Sequence, residues 1–270
     1  MLNILGWNIN QKGDETPSWI YGEIKKKIAT GEADIIVLTE FYKNKNHRDT
    51  LVEPLEKDGY VVFLDPRPRK NKIRQVLIAI RNNLIKNETI KIHILDDNEG
   101  YLFDINKGYP NYLQVDFSIN SIPLSIIGTR IRIGTSSGAE EHKRRQTQFD
   151  NFLKSLPIDR HMIIVGDFNI ADHYKFKTED RENWHYIDNY LKSYETLKMS
   201  VYTPEIGNSP INSEFKLDHL ILSNPHFKNV ECYYHPSKKD ECEWDFKGAN
   251  NPDHAMLLAK VDINNPKLPD

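Results

Sequence analysis

The side chains best suited to chemistry lie in the stretch 161–172, HMIIVGDFNIAD. Its apolar run 162–165 predicts a buried strand, and Asp167 and Asn169 follow soon after this run. At the end of a strand, a carboxylate can polarise a nucleophile and a neutral amide can hold an oxyanion. The same two residue types are also common as turn formers and helix caps. This stretch alone leaves both interpretations open.

Other polar residues share this position at the ends of predicted strands. They are Asn8, Glu40, Asp218, Asp253 and His254. Taken one at a time, each has a structural explanation as a turn former, a cap or a turn before a strand. Because strand ends at one edge of an α/β sheet lie close together, the whole set favours a shared site instead.

Basic residues form two groups that could contact phosphate. Arg130 and Arg132 follow the predicted strand 123–129. The window 66–73, PRPRKNKI, is the most basic in the chain, and its prolines keep it extended and outside a sheet. Its candidate substrate-binding residues are Arg69, Lys70 and Lys72. The window can be a solvated hairpin loop or a phosphate-contacting loop. The second interpretation is possible because Arg and Lys side chains make most protein contacts to the phosphate backbone of nucleic acids.

The elements that position these residues are predicted from apolar periodicity. Strands are predicted at 2–7, 34–39, 60–64, 74–80, 89–95, 112–118, 123–129, 161–165, 217–222, 230–234 and 255–261. Helices are predicted at 17–29, 46–57, 139–156 and 181–199. The short alternating strands between 89 and 129 indicate an antiparallel sheet. Glu40 is expected to end its strand, and Gly166 is expected to turn the backbone sharply before Asp167.

The composition predicts one globular domain over residues 1–270. The chain is 39% hydrophobic and 28% charged, with a formal net charge of -3. That is enough apolar material for a large core, and the negative charge argues against a protein whose whole surface binds nucleic acid. A local basic groove is still allowed. Cys232 and Cys242 are expected to be free thiols, because two cysteines are too few for a disulfide framework.

The sequence also predicts no membrane span. The start MLNILGWNIN lacks the basic region and the longer apolar core of a signal peptide. No apolar run approaches the roughly 20 residues that a bilayer-spanning helix needs. We therefore expect a soluble, cytoplasmic protein. We also expect it to be a monomer.

The ordered set of motifs resembles the endonuclease/exonuclease/phosphatase superfamily, which includes pancreatic-type deoxyribonuclease and the exonuclease III class of abasic-site endonucleases. The matching pieces, in chain order, are WNIN, LTE, GDFN, LDHLILS and NPDHAM, and they span residues 7 to 254. Arg144, Arg145 and Gln146 resemble the family's Arg/Gln helix before GDFN. The resemblance implies a four-layer α/β sandwich, with two mixed β-sheets packed face to face and helices on the outside.

The resemblance also implies that a divalent metal assists hydrolysis of a phosphoester. Glu40 would hold Mg²⁺, or Mn²⁺, with Asp253 as a further contact. Mg²⁺ prefers oxygen ligands and keeps several waters, so one or two protein carboxylates suffice. Without a metal, a site so rich in carboxylates is expected to repel an anionic substrate.

The other matching positions receive the family's catalytic roles. Asp167 would orient or deprotonate the attacking water, with Asn8 fixing this carboxylate. Asn169 would bind the scissile phosphate. His254, paired with Asp218, would stabilise the developing charge, because an adjacent carboxylate favours the cationic imidazole.

Two positions depart from the family pattern. Where many members have a His or Tyr, this chain has Arg130, which cannot titrate but can bind two phosphate oxygens at once. We therefore expect Arg130 to stabilise charge. Asn10 stands where abasic-site enzymes have an Asp, so this site has one carboxylate fewer than theirs.

The favoured function is a Mg²⁺-dependent nuclease, in the first place an endonuclease acting on DNA. An alternative is a phosphoesterase for a small or lipid-borne phosphate, such as a phosphoinositide, sphingomyelin or a nucleotide, because the fold does not select among these. A third interpretation is a binding module whose catalytic site has decayed. Dependence of turnover on polymer length would separate the first two.

Overall fold

The computed structural model describes most of the chain. It covers residues 1–11, 16–43, 46–66, 74–86, 88–95, 110–133, 139–157, 159–170, 198–209, 215–223, 227–244 and 251–263, with 187, 191, 194, 211 and 247. The strands, in chain order, are β1 Leu2–Asn8, β2 Ile35–Tyr42, β3 Tyr60–Leu64, β4 Arg74–Arg81, β5 Lys91–His93, β6 Asn111–Ile119, β7 Ile122–Arg130, β8 His161–Asp167, β9 Met199–Tyr202, β10 Asp218–Ser223, β11 Phe227–His235 and β12 Met256–Ile263. The helices are α1 Ser18–Ala29, α2 Glu53–Lys57, α3 Asn82–Ile85 and α4 Ala139–Lys154.

The described strands form two mixed six-stranded sheets. The first sheet has the order β11-β12-β1-β2-β4-β3 and the second has the order β5-β6-β7-β8-β10-β9. Strands β1 and β2 are parallel, as are β7 and β8, whereas the other paired strands are antiparallel. The predicted antiparallel arrangement of β5, β6 and β7 is confirmed.

The main core lies between the two sheets. Val37 and Ile78 of the first sheet and Ile126 and Val165 of the second belong to one cluster of buried side chains. Successive residues of a strand face opposite sides, so the alternate positions lie on the outer faces. The first sheet is covered there by α1 and α2, and the second by α4. The predicted four-layer sandwich is therefore confirmed.

Several predicted elements differ from those observed. The predicted helix 46–57 is interrupted, because a π-helical turn at Arg48–Val52 precedes α2; Pro54 has no N–H to continue the regular ladder. The predicted helix 181–199 cannot extend to Met199, which begins β9. Most of that segment lies outside the described residues. The elements α3 and β9 were not predicted.

Two general expectations can be compared with the structure. Cys232 and Cys242 are free thiols, as predicted. Among the residues that the structure describes, no helix has the length and apolar character needed to cross a membrane.

Candidate active site

Asp167 is held in a fixed orientation by two amide side chains. It is the last residue of β8 and only 1% exposed. Its Oδ2 accepts hydrogen bonds from Asn8 Nδ2 and from Asn169 Nδ2, both at 2.9 Å, and its Oδ1 accepts one from the backbone N–H of Asn169 at 2.9 Å. The sequence prediction that these three residues meet at strand ends is thus matched by the geometry.

Asn169 has no amide hydrogen left for a ligand in this arrangement. Its second Nδ2 hydrogen bond goes to the carbonyl of Ile131 at 2.7 Å. An amide group has two N–H donors, and both are engaged. The geometry therefore favours Asn169 as a positioning residue for Asp167 over the predicted direct contact with phosphate.

Gly166 has a different role from the one predicted. It lies within β8 and does not turn the backbone, because the positive φ of this segment is at Asn169 (50°). Gly166 faces Thr129 of the parallel strand β7, and a Cβ there would lie 1.8 Å from the Thr129 carbonyl oxygen. The absence of a side chain therefore lets β7 approach β8.

His254 and Asp218 form a second buried pair beside Asp167. His254 Nδ1 lies 2.6 Å from Asp218 Oδ2. Asp218 is also the register partner of Asp167 across β10 and β8. Burial lowers the pKa of His254, but the charges of Asp218, Asp167 and Asp253 and the hydrogen bond to Asp218 outweigh it and raise this pKa to about 9. His254 is thus an imidazolium at neutral pH.

The pKa of Asp167 is raised above its ordinary value. Burial is the largest cause, and the negative charge of Asp218 adds to it. The charges of His254 and Arg130 and the backbone N–H of Asn169 act in the opposite direction without cancelling the rise. A carboxylate with a raised pKa is a better proton acceptor for water than an ordinary surface carboxylate.

Glu40 reaches the site because β2 contains a bulge. The prediction that Glu40 ends its strand is wrong: it lies inside β2 with a φ of 57°. Between the pairs Leu38–Leu77 and Phe41–Gln75, two residues of β2 lie opposite a single residue of β4. In a regular strand Glu40 would share the apolar outer face of Leu38. Because the bulge adds one residue to β2, Phe41 lies on that outer face with Leu38, and Glu40 does not.

Two arginines contact the Glu40 carboxylate. Arg130 Nη2 lies 2.6 Å from Glu40 Oε1, and Arg74 Nη1 forms an ion pair with Glu40 Oε2. Asn8 Nδ2 also lies 3.3 Å from Oε1. Burial, with the neighbouring charge of Arg130, lowers the pKa of Arg74 to about 10, so Arg74 is still cationic at neutral pH.

As arranged here, Glu40 does not fit a divalent cation. Carboxylate oxygens are the ligands that Mg²⁺ prefers, but a cation bonded to either oxygen of Glu40 would lie against a guanidinium group. Asp253, the second predicted ligand, has a side chain 40% exposed and 3.9 Å from His254 Nε2. Within the described ranges, no group of three or more His, Cys, Asp or Glu is arranged to hold a metal.

A comparison with protein families decides the relationship of this chain. The sequence model of the Endonuclease/Exonuclease/phosphatase family matches residues 5–238. The chain belongs to this family. Members of the family hydrolyse phosphodiester bonds and generally use divalent metals. A comparison with curated proteins found no match.

Solved structures of the family have the same fold at low sequence identity. TDP2 of D. rerio in complex with a single-strand DNA product has a TM-score of 0.60 and 15% identity, over 97% of this chain and 98% of that one. An AP endonuclease from Archaeoglobus fulgidus has a TM-score of 0.59 and 16% identity, over 97% of this chain and 100% of that one. The human nocturnin catalytic domain has a TM-score of 0.61 and 17% identity, over 97% of this chain and 94% of that one.

Tryptophans that the sequence analysis did not single out support the family's terminal Asp-His motif. Trp7 Nε1 donates to the His254 carbonyl at 2.9 Å, and Trp244 Nε1 donates to the Pro252 carbonyl at 2.8 Å. The two indole rings pack with centroids 5.3 Å apart. In the sequence, Trp244 could have been noticed as a tryptophan within an otherwise polar loop.

The family's GDFN segment is fixed by side chains from two other elements. His219 Nε2 bonds to the Ile170 carbonyl at 2.8 Å, and its Nδ1 lies 2.8 Å from Thr203 Oγ1. Because a carbonyl can only accept, Nε2 is the protonated nitrogen. From α4, Arg145 Nη1 donates to the Asn169 carbonyl at 2.9 Å. These contacts hold the loop that contains Asn169.

The predicted substrate-binding residues are only partly described. Arg132 is buried, and its backbone N–H and carbonyl are bonded to the side chain of Gln148 at 2.9 and 3.0 Å. Gln148 belongs to α4, the helix that carries the predicted Arg/Gln stretch 144–146. The remaining three residues, Arg69, Lys70 and Lys72, lie outside the described residues.

Proposed function

We propose that this chain is a phosphodiester hydrolase, and more narrowly an endonuclease that acts on DNA. The observation that supports this most is the buried Asp167 carboxylate, oriented by two amides beside a His254–Asp218 pair. Phosphodiester hydrolysis needs a base for water and positive charge for the phosphate oxygens. The raised pKa of Asp167 makes this carboxylate a stronger proton acceptor, and the raised pKa of His254, about 9, favours the cationic imidazole that suits a phosphate oxygen.

In the proposed reaction, Asp167 accepts a proton from the attacking water. The side-chain amides of Asn8 and Asn169 both donate to Asp167 Oδ2 and thereby fix the orientation of this carboxylate. His254, held by Asp218, stabilises the negative charge that develops on the phosphoryl oxygens. Arg130 adds a second positive charge close to Asp167, because its Nε lies 3.6 Å from Asp167 Oδ2.

The proposed roles of Asp167, His254 and Arg130 do not involve the predicted Mg²⁺ or Mn²⁺. The family generally uses a divalent metal, but the carboxylate that would bind it here contacts two guanidinium groups. The metal at Glu40 and Asp253 therefore stays a prediction, and the proton transfer and the charge stabilisation are assigned to side chains of this chain.

DNA is proposed as the substrate on the basis of the family and the basic window 66–73. Two of the structures similar to this chain are a TDP2 bound to a single-strand DNA product and an AP endonuclease. The net charge of -3 limits non-specific affinity for a polyanion, so a smaller phosphoester is the alternative outcome of the test.

The deciding experiment is cleavage of supercoiled plasmid by purified protein, with Mg²⁺ and separately with EDTA. We expect nicking by the wild type and a loss of roughly 10²–10⁴-fold in His254→Ala, because a charge that stabilises the transition state is removed. His93→Ala, an exposed histidine on the edge strand β5, is the matched control and should keep its activity.

Absence of nicking by a folded wild type in both buffers would refute the nuclease. Hydrolysis of bis(p-nitrophenyl) phosphate or of nucleotides by the same preparation would then assign the site to small phosphoesters. Turnover that is unchanged in His254→Ala would refute the proposed site itself.

A further inference from the structure

The Glu40 carboxylate is enclosed by positive charge from both sheets. Glu40 and Arg74 belong to β2 and β4 of the first sheet, whereas Arg130 is the last residue of β7 in the second. Glu40 is 5% exposed and Arg130 is 9% exposed. Each guanidinium forms an ion pair with a different carboxylate oxygen. Glu40 Oε2 is buried and has no hydrogen bond of regular geometry among the described residues, so its contact with Arg74 is one of charge.

The two arginines are fixed in relation to each other by Asn111. Asn111 is the register partner of Arg130 across β6 and β7, and its Nδ2 donates to the Arg74 carbonyl at 3.1 Å. Thr129 Oγ1 donates to the Asn111 carbonyl at 3.0 Å. The backbone segments that bear Arg74 and Arg130 are thus joined between the sheets.

The two arginines bring two positive charges to the site, because a guanidinium group stays protonated at neutral pH. Both lie against Glu40, and Arg130 also lies 3.6 Å from Asp167. Together they supply the same total charge as one divalent ion would.

Arg130 keeps hydrogen-bonding capacity beyond its contact with Glu40. Its Nε has no hydrogen-bond partner among the residues that the structure describes, although it lies 3.6 Å from Asp167 Oδ2. A guanidinium has five N–H donors in a planar fork that matches two oxygens of a phosphate. A buried donor of this kind is costly unless a ligand satisfies it.

We propose that Arg74 and Arg130 occupy the cation position of this site, so that Glu40 is bound by two guanidinium groups and Arg130 meets the substrate phosphate in place of a divalent metal. The phosphate contact deepens the proposed function and rests on it. The contact with Glu40 does not, so it can be tested without measuring hydrolysis.

The first test is direct binding of Mn²⁺ in titration calorimetry. We expect no saturable binding to the wild type up to about 1 mM, the weak end of protein sites for hard divalent cations. The double variant Arg74→Gln/Arg130→Gln frees both Glu40 oxygens and should bind Mn²⁺. Adding Glu40→Gln to that variant should abolish the binding again.

Arg81→Gln is the matched control. Arg81 lies at the other end of β4 and contacts the carboxylate of Asp34 at 3.1 Å, so its removal should not create a Mn²⁺ site. Saturable binding to the wild type that Glu40→Gln abolishes would overturn the proposal. A folded double variant that binds no Mn²⁺ would overturn it as well, because the arginines would then not occupy a cation position.

The second test is the melting temperature of Glu40→Gln in EDTA, which needs neither the double variant nor a metal. Glutamine leaves two buried guanidinium groups without their negative partner, and we expect the Tm to fall by roughly 5–15 °C. A metal-ligand carboxylate without its metal repels its acidic neighbours, so its removal would leave the Tm unchanged or raised. Either of those results would overturn the proposal.

The plasmid assay in EDTA completes the set. Cleavage that persists in EDTA and is lost in Arg130→Gln supports both the nuclease and the phosphate contact. Binding and melting results as expected, together with no hydrolysis of any phosphoester, would keep the guanidinium pair at Glu40 and refute the phosphate contact and the proposed function.

Discussion

The protonation state of His254 follows from its neighbours rather than from its burial. A buried imidazole without a charged partner favours the neutral form. Here Asp218 lies 2.6 Å away and, with smaller contributions from Asp167 and Asp253, raises the pKa to about 9 against the effect of burial. The charge of His254 therefore depends mainly on its pairing with Asp218.

This dependence gives a prediction for Asp218→Asn. The variant removes the main cause that raises the pKa of His254, so burial should bring that pKa down toward or below its ordinary value near 6.5. An NMR titration of the His254 ring measures this directly. In the wild type, turnover should decline as the pH rises through about 9, whereas in the variant the decline should begin at lower pH.

The same shift makes a prediction for stability. Because the folded pKa of His254 is raised above its unfolded value, the pair contributes stability that is fully present below about pH 6.5 and lost as the pH rises through about 9. Urea unfolding across this window should show the loss in the wild type and less of it in Asp218→Asn. Equal pH dependence in the two proteins would contradict the assignment.

At the level of elements, the site depends on the close parallel approach of β7 and β8. Their register places Arg130 opposite Asp167 and Thr129 opposite Gly166. A side chain at Gly166 would collide with the Thr129 carbonyl. This glycine therefore sets the distance between the arginine and the carboxylate.

We expect Gly166→Ala to destabilise the fold by about 3 kcal/mol or more, because the added methyl group must separate two hydrogen-bonded strands. Gly22→Ala in α1 is the control: nothing lies within 4 Å of its Cβ position, and alanine in a helix should stabilise by about 0.5–1 kcal/mol. Urea unfolding measures both. A Gly166→Ala protein as stable as the wild type would contradict the close approach.

At the scale of the whole molecule, the site exists only where the two sheets pack. Glu40 and Asn8 come from the first sheet, whereas Asp167, Asp218 and Arg130 come from the second. The apolar layer between the sheets holds these two groups of residues at fixed distances. Activity should therefore be lost together with the global fold.

Ile78→Ala tests this coupling away from the site. Ile78 is fully buried between the sheets, so its truncation should cost about 2–5 kcal/mol, whereas truncation of the exposed Ile92 should cost little. Below the transition, the activity per folded molecule should be unchanged. In urea, activity and far-UV circular dichroism should decline together; an earlier loss of activity would indicate a site that opens before the sheets separate.

The fold class could be predicted from the sequence, and so could the strand ends at which several polar residues lie. Buried strands are visible as apolar runs, so the polar residues at their ends could be located without a structure, as Asn8, Asp167 and Asp218 show. The family motifs then supplied their order. Local periodicity failed at Met199, where pairing with the neighbouring strand β10 rather than local sequence places the residue in a strand.

The surroundings of Glu40 depend on contacts between elements that are distant in the sequence. The bulge that turns it toward the site arises from pairing with β4, and its partners Arg74 and Arg130 are distant in the sequence. Local patterns locate buried strands and the polar residues near their ends, but a bulge within a strand and the contacts between two sheets depend on register and packing across the whole chain. For that reason a carboxylate predicted to bind a metal is found between two guanidinium groups.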